Sequence, residues 1–178
     1  VGVDADIDEH VTSINLPNNN LNGSLPPEIG DLIYLNFLQL YQNSELQGSL
    51  PSEIGNLVNL EHLSIYETSL SGSLPAEIGN MTGLKELMLH ENNISGTIPP
   101  ELGDLVILEK IWLQSNELTG EIPSQLGNID SLNYLYLETN FLTGEIPEEL
   151  GNLSKLELLL LSENNLSGDI PASIGNCV

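Results

Sequence analysis

LKELMLHENNISGTIPPELG, residues 84–103, carries three signals in succession: leucines spaced L-x-x-L-x-L, an Asn three residues after the last of them, and then I-S-G-T-I-P. The rest of the chain repeats this stretch with variations. Its Gly96 has counterparts at Gly23, Gly48, Gly72, Gly120, Gly144 and Gly168, spaced by 25 residues once and by 24 otherwise. A Pro follows each of them three residues later, from Pro26 to Pro171, and a second Gly four residues after that, from Gly30 to Gly175. A fixed period in the twenties built on leucines marks a repeat architecture, whose units bury their apolar side only by stacking on one another. The sequence therefore describes seven turns of one coil.

The L-x-L pair of each unit predicts a short strand, with both apolar side chains on one side and the residue between them on the other. These inward pairs are Ile14/Leu16, Leu38/Leu40, Leu63/Ile65, Leu87/Leu89, Ile111/Leu113, Leu135/Leu137 and Leu159/Leu161. Such strands stack in parallel about 4.8 Å apart, giving one continuous sheet. The Asn after the strand (Asn19, Asn43, Asn92, Asn116, Asn140 or Asn164) is expected to turn inward and pair backbone groups that the bending chain would leave buried. Thr68 takes this place in the third unit and offers one donor where Asn offers two, which predicts a weaker ladder there. An extra residue around Ser44 and Glu45 accounts for the 25-residue step and predicts a bulge after Asn43.

The units resemble the plant-type leucine-rich repeat, L-x-x-L-x-L-x-x-N-x-L-[ST]-G-x-[IL]-P-x-x-[IL]-G-x-L. That form is found in ectodomains of plant receptor-like kinases, in receptor-like proteins and polygalacturonase-inhibiting proteins, and in related secreted algal proteins. The resemblance covers about residues 11–176. It implies an α/β solenoid: a right-handed superhelix of seven ~24-residue repeats, with a parallel concave sheet and short helical turns on the convex side. In the family, L-[NQST]-G-x-[IL]-P adds a second short strand and a turn. The Pro is then expected to open the helical turn and the following Gly to end it. Residues 1–10 are an acidic lead-in, similar to the tail of the family's N-terminal cap without its Trp and Cys, and residues 11–178 form the repeat domain. Cys177 is the only cysteine, so the disulfide-bearing caps of the family cannot form within the chain. The end, GNCV, stops where an eighth repeat would begin. A segment of a longer protein is expected, a short member with atypical ends being the alternative.

Composition narrows the partners. With 40% hydrophobic residues and eight aromatics, the interior must be aliphatic. Three basic against 26 acidic residues give a formal charge of −23. That field repels nucleic acid and anionic lipid and favours a basic partner or metal ions, solubility being the plainer reading. No run approaches the roughly 18 apolar residues that cross a bilayer, so no direct membrane insertion is expected. The convex column Glu28, Glu53, Glu77, Glu101 and Glu149 reads as a solvated face. Asp4, Asp6 and Asp8 have the first spacings of a calcium loop, but Glu9 replaces its Gly and Asn15 its final Glu. They read as solvated lead-in. N-x-[ST] sequons at Asn22, Asn80, Asn93, Asn152 and Asn165 suit a glycosylated, extracellular or cell-surface chain. Asn80 and Asn152, on the convex side, are the most accessible candidates.

The informative positions are those the repeat does not dictate. Six of the eight aromatics (Phe37, Tyr41, Tyr66, Trp112, Tyr134 and Tyr136) occupy outward strand columns, as do His62 and His90. Strand alternation points them away from the leucines, and aromatics clustered on an open sheet resemble contact surfaces. High strand propensity with cross-strand stacking is the competing explanation. Two patches are expected: Phe37, Tyr41, His62, Tyr66 and His90 toward the N-terminal end, and Trp112, Tyr134 and Tyr136 beside Lys110 toward the other. Glu67, Glu91 and Glu138 rim them. A protein or peptide ligand with basic and apolar groups fits both features, since aromatic faces attract cations. Glu86 beside Lys110 reads as a surface ion pair.

Enzyme readings find little support. Glu67 and Glu91 could approach the carboxylate separation of a retaining glycosidase, but nothing encloses them. His62 and His90 lie in different columns without metal spacing, and no phosphate loop or other cofactor motif is present. Two further readings stand beside recognition. The polar column Ser24, Ser49, Ser73, Thr97, Glu121, Glu145 and Asp169 is a ladder of the sort that orders ice, broken by acids after Thr97. The chain could equally serve as a structural or adhesive repeat segment of a longer surface protein.

Overall fold

The computed structural model describes residues 2–5 and 10–176. Asp6, Asp8, Glu9 and Cys177, which the sequence reading singled out, lie outside the described residues. In chain order the strands are β1 (Gly2–Ala5), β2 (Val11–Asn15), β3 (Asn22–Ser24), β4 (Phe37–Gln39) and β5 (Glu45–Gly48). There follow β6 (His62–Ser64), β7 (Ser69–Ser73), β8 (Glu86–Met88), β9 (Asn93–Thr97) and β10 (Lys110–Trp112). The last are β11 (Glu117–Glu121), β12 (Tyr134–Tyr136), β13 (Phe141–Glu145), β14 (Leu158–Leu160) and β15 (Asn165–Ser167).

They form two sheets. The even-numbered strands run β2-β4-β6-β8-β10-β12-β14, all parallel, and β1 adds an antiparallel strand on the outer edge of β2. The resemblance did not announce β1, which is mostly exposed but pairs the backbone of an otherwise open sheet edge. The odd-numbered strands β3 to β15 make a second parallel sheet of seven. Residues of one repeat sit opposite their counterparts in the next, as in Trp112 against Tyr136 and Met88.

The inward pairs from Leu38/Leu40 to Leu135/Leu137 are buried, and the terminal pairs Ile14/Leu16 and Leu159/Leu161 partly so. On the convex side each repeat has one 3-10 turn, from Pro27–Asp31 to Ala172–Asn176. The expected roles of Pro and Gly shift slightly here. Pro26, Pro51, Pro75, Pro99, Pro123 and Pro147 stand one residue before the turn in extended conformation, and their carbonyls accept its first hydrogen bond. The following Gly lies inside the turn rather than ending it. A Cβ on Gly127 would sit 2.3 Å from the Glu149 carbonyl oxygen, so glycine is there to let successive turns approach.

The asparagine ladder forms as expected over most of its length. Asn116 Nδ2 donates to the Leu89 and Leu113 carbonyls, and its Oδ1 accepts the Ile94 N–H; Asn140 repeats this one coil further on. Asn19 is the exception: it is exposed and its side chain bonds only locally, to the Pro17 carbonyl, while its backbone N–H donates to Asn43 Oδ1. At Thr68 the ladder is altered in a connected way. Thr68 Oγ1 donates to Asn92 Oδ1 and leaves the Leu40 carbonyl to Asn43 alone. The amide that a ladder Asn would have served, Leu46 N–H, bonds instead to the Asn43 carbonyl through the turn made by the extra residue. The insertion and the substitution thus compensate each other.

Candidate functional site

The strand columns opposite the leucines form the concave face, and no second layer of the described chain covers Tyr66, Trp112 or Tyr136, each of which is partly exposed. Their rings do not lie as separate patches. Tyr41 stacks on Tyr66 (centroids 4.6 Å, planes 2° apart), and Tyr66 on His90 (4.3 Å, 14°). His90 meets Trp112 edge-on (5.6 Å, 68°), and Trp112 stacks on Tyr136 (5.3 Å, 3°). Five rings therefore form one ladder across five successive repeats. The expected gap between two patches is closed because His90 and Trp112 stand in adjacent columns and turn against each other. Tyr134 meets Tyr136 edge-on at 6.3 Å, and Phe37 stacks on His62 at 4.8 Å in the neighbouring column. Each such aromatic pair adds about 0.5–1.5 kcal/mol beyond buried area.

Stacking at repeat spacing turns the ring faces toward one another and presents their edges to solvent. The expected attraction of cations to exposed aromatic faces is therefore confined to the ladder ends and to the break at His90. His90 itself departs from expectation: clamped between Tyr66 and Trp112, it is 8% exposed. Burial lowers its pKa, only partly opposed by the negative charge of Glu67. Ser64, another outward residue, is fully buried. Burial also raises the Tyr66 pKa, with help from Tyr41 and Glu67.

Beside the ladder runs a polar row. His62 Nδ1 lies 2.9 Å from Glu86 Oε2, and Lys110 Nζ donates to Glu86 Oε1 at 2.7 Å. Burial acts to raise the Glu86 pKa, but the hydrogen bonds from Lys110 and His62 outweigh it and the carboxyl is held below its usual range. Sequence reading found the Glu86–Lys110 pair but not the place of His62 in it. Tyr134 donates to Glu157 at 2.6 Å, which raises the phenol's pKa.

The three rim acids differ. Glu67 is exposed and accepts from Gln42 Nε2 at 3.2 Å; Glu91 is exposed; Glu138 is half-buried. Glu67 and Glu91 belong to a column held in left-handed conformation, with φ from 51° to 59° at Asn18, Gln42, Glu67, Glu91, Ser115, Thr139 and Glu163. Gln114, which sequence reading did not single out, lies between His90 and Glu138 in their column. Its side-chain oxygen, Glu138 Oε2, Trp112 Nε1 and His90 Nδ1 are buried without hydrogen-bond partners. Asn80 and Asn152 are exposed at the ends of their 3-10 turns. Among the described residues no group of three or more His, Cys, Asp and Glu could hold a metal. A groove of about 920 Å³ lies away from the ladder, between the odd-strand sheet and the convex turns, and Glu121, Glu145, Glu148 and Asp169 line it. Among the described residues no helix is long and apolar enough to cross a membrane.

Family comparison agrees with this geometry. A leucine-rich repeat region matches residues 12–125, and single leucine-rich repeats match residues 131–153 and 155–177. No curated protein sequence matches the chain. Among solved structures, the ectodomain of the Arabidopsis thaliana membrane receptor kinase GASSHO1/SCHENGEN3, in complex with CASPARIAN STRIP INTEGRITY FACTOR 2, is 38% identical with a TM-score of 0.97. The match covers 99% of this chain and 21% of that one. The plant peptide hormone receptor RGFR1, in complex with RGF2, is 41% identical (TM-score 0.73; 90% of this chain, 30% of that one). A plant ice-binding protein is 28% identical (TM-score 0.67; 96% and 78%). The chain spans less than a third of both receptor chains. The repeat period, the paired sheets and these matches together place the chain in the leucine-rich-repeat family, in the form seen in plant receptor-kinase ectodomains.

Proposed function

We propose that the chain is a non-catalytic recognition module, extracellular or at the cell surface, that binds a protein or peptide along its concave face. The observation that carries this reading is the ladder of five rings from Tyr41 to Tyr136, flanked by Glu67, Glu91 and Glu138, with all its rings but the buried His90 partly exposed. Rings locked by stacking have little conformational freedom left to lose, so binding against them carries a small ordering cost. Both receptors compared above were solved with a peptide hormone or a named factor bound, which favours a peptide ligand here. The acidic surface favours a basic one.

Selection from a random peptide library displayed on phage tests the reading. The parent chain should enrich extended sequences, and the double variant Trp112→Ala, Tyr136→Ala should fail to retain them while keeping its circular dichroism. Equal retention by parent and variant would reject the concave face as the site.

A second reading rests on the odd-strand sheet. Ser24, Ser49, Ser73 and Thr97 form a ladder of exposed hydroxyls, and an ice-binding protein is among the structural neighbours. Glu121, Glu145 and Asp169 interrupt that ladder over the later coils. A freezing-hysteresis assay separates the two, since concave-face recognition predicts none.

A further inference from the structure

We infer that the concave face holds a specific pocket for an arginine side chain of the bound peptide, formed by Gln114 and Glu138 beside Trp112. This rests on the recognition reading above and names the group recognised. Six buried side-chain atoms on the described chain lack hydrogen-bond partners, and four of them belong to residues of three successive repeats here: His90 Nδ1, Trp112 Nε1, Gln114 Oε1 and Glu138 Oε2. Leaving a carboxylate oxygen and an amide oxygen buried and unpaired is costly, more so for the charged group. A donor supplied from outside removes that cost.

No lysine of the chain is bonded to Gln114 or Glu138. All its cations are lysines; Lys85 is paired with Glu61 and Lys110 with Glu86, and Lys155 is exposed in the segment before β14. The backbone keeps Gln114 and Glu138 side by side just past β10 and β12, with the Ser115 N–H donating to the Glu138 carbonyl at 3.0 Å. Two acceptors one strand apart suit the forked donors of a guanidinium better than the single point of an ammonium. The facing sides of Trp112 and Tyr136 stack on each other and are closed to a cation, and the apolar stem of an arginine can lie along the ring edges. The unpaired Trp112 Nε1 is a donor, and in an extended ligand it takes a main-chain carbonyl next to that arginine. His90, more than nine-tenths buried, stands one repeat before Gln114 in the same column.

The probe is a set of synthetic peptide pools, each with one fixed residue (arginine, lysine or citrulline) in a randomised, fluorescently labelled frame, read by fluorescence anisotropy. A hydrogen-bonded charge pair predicts that arginine pools bind at least about tenfold tighter than citrulline pools, which keep the shape and lose the charge. Lysine pools should fall between them. Glu138→Gln should abolish the arginine preference and leave citrulline binding unchanged, whereas Glu163→Gln, removing the same charge from the next strand, should preserve it. Equal affinity for arginine and citrulline pools, or an arginine preference that survives Glu138→Gln, overturns the pocket while leaving concave-face recognition standing. Failure of every pool to bind, or binding indifferent to Trp112→Ala, overturns both.

Discussion

The asparagine ladder shows how much one side chain can carry. Asn116 serves two carbonyls and one amide, all of them buried; Asn92 and Asn140 also donate to those carbonyls, so Asn116→Ala takes the side-chain acceptor from Ile94 N–H and leaves the Leu89 and Leu113 carbonyls with one donor fewer. At about 1–3 kcal/mol for the buried amide left without its acceptor and about 0.5–1.5 kcal/mol for each of the two other bonds lost, softened by relaxation, a loss of about 2–4 kcal/mol is expected. Thr68→Val removes the hydroxyl's bond to Asn92 and its long acceptance from Leu70 N–H, which Asn92 Oδ1 also accepts, and should cost less than about 2 kcal/mol; urea unfolding of both variants measures the difference. His90 gives a second residue-scale expectation. Its folded pKa lies below the ordinary 6.5, so the unfolded chain takes up the proton first as pH falls. The associated stability is full above that value and is lost as pH drops toward the folded pKa. The urea midpoint should therefore decline as pH falls below about 7, and decline less in His90→Phe, which keeps a stacking ring but cannot protonate. At this scale the sequence was only partly legible. The buried leucines and asparagines could be read because the period repeats them. The left-handed column at Gln42, Glu67, Glu91, Ser115, Thr139 and Glu163 could not, because none of these residue types announces a positive φ. The burial of His90 was equally hidden, since Tyr66 and Trp112, which enclose it, come from neighbouring coils.

The second repeat is the informative exception among the elements. Its extra residue looked like a bulge and Thr68 like an unrelated weak point, and both were visible from spacing alone. What spacing could not show is that they depend on each other. With the insertion present, Leu46 N–H bonds to the Asn43 carbonyl, and Ser69 Oγ donates to the Ser44 carbonyl at 2.7 Å, so no ladder acceptor is required from residue 68. Deleting Ser44 alone should destabilise the chain, because Leu46 N–H then faces a threonine. Deleting Ser44 together with Thr68→Asn should recover most of that loss, with a coupling of about 1–3 kcal/mol in a double-mutant cycle. Additive effects would mean that insertion and substitution are independent. The ring ladder belongs to the same scale. Its members could be listed from the sequence, but its continuity rests on the edge-on turn between His90 and Trp112, which column assignments alone do not reveal.

For the molecule as a whole, the architecture was the most legible feature, because stacked repeats bury their apolar side against neighbours of known spacing and need no long-range pairing to be guessed. Function was legible only as a choice of face. The −23 charge argued for a basic partner, and the odd-strand hydroxyls left ice as a rival. The central claim is that the concave rings, rather than the convex or odd-strand surfaces, take the ligand. Trp112 is the chain's only tryptophan, so its fluorescence reports from the middle of the proposed site without interference. The decisive measurement is a titration of the parent chain with a library-selected peptide, following Trp112 emission and the anisotropy of the labelled peptide together. The account predicts a saturable change in Trp112 emission with the same Kd as the anisotropy. Saturating binding with unchanged Trp112 emission would contradict it.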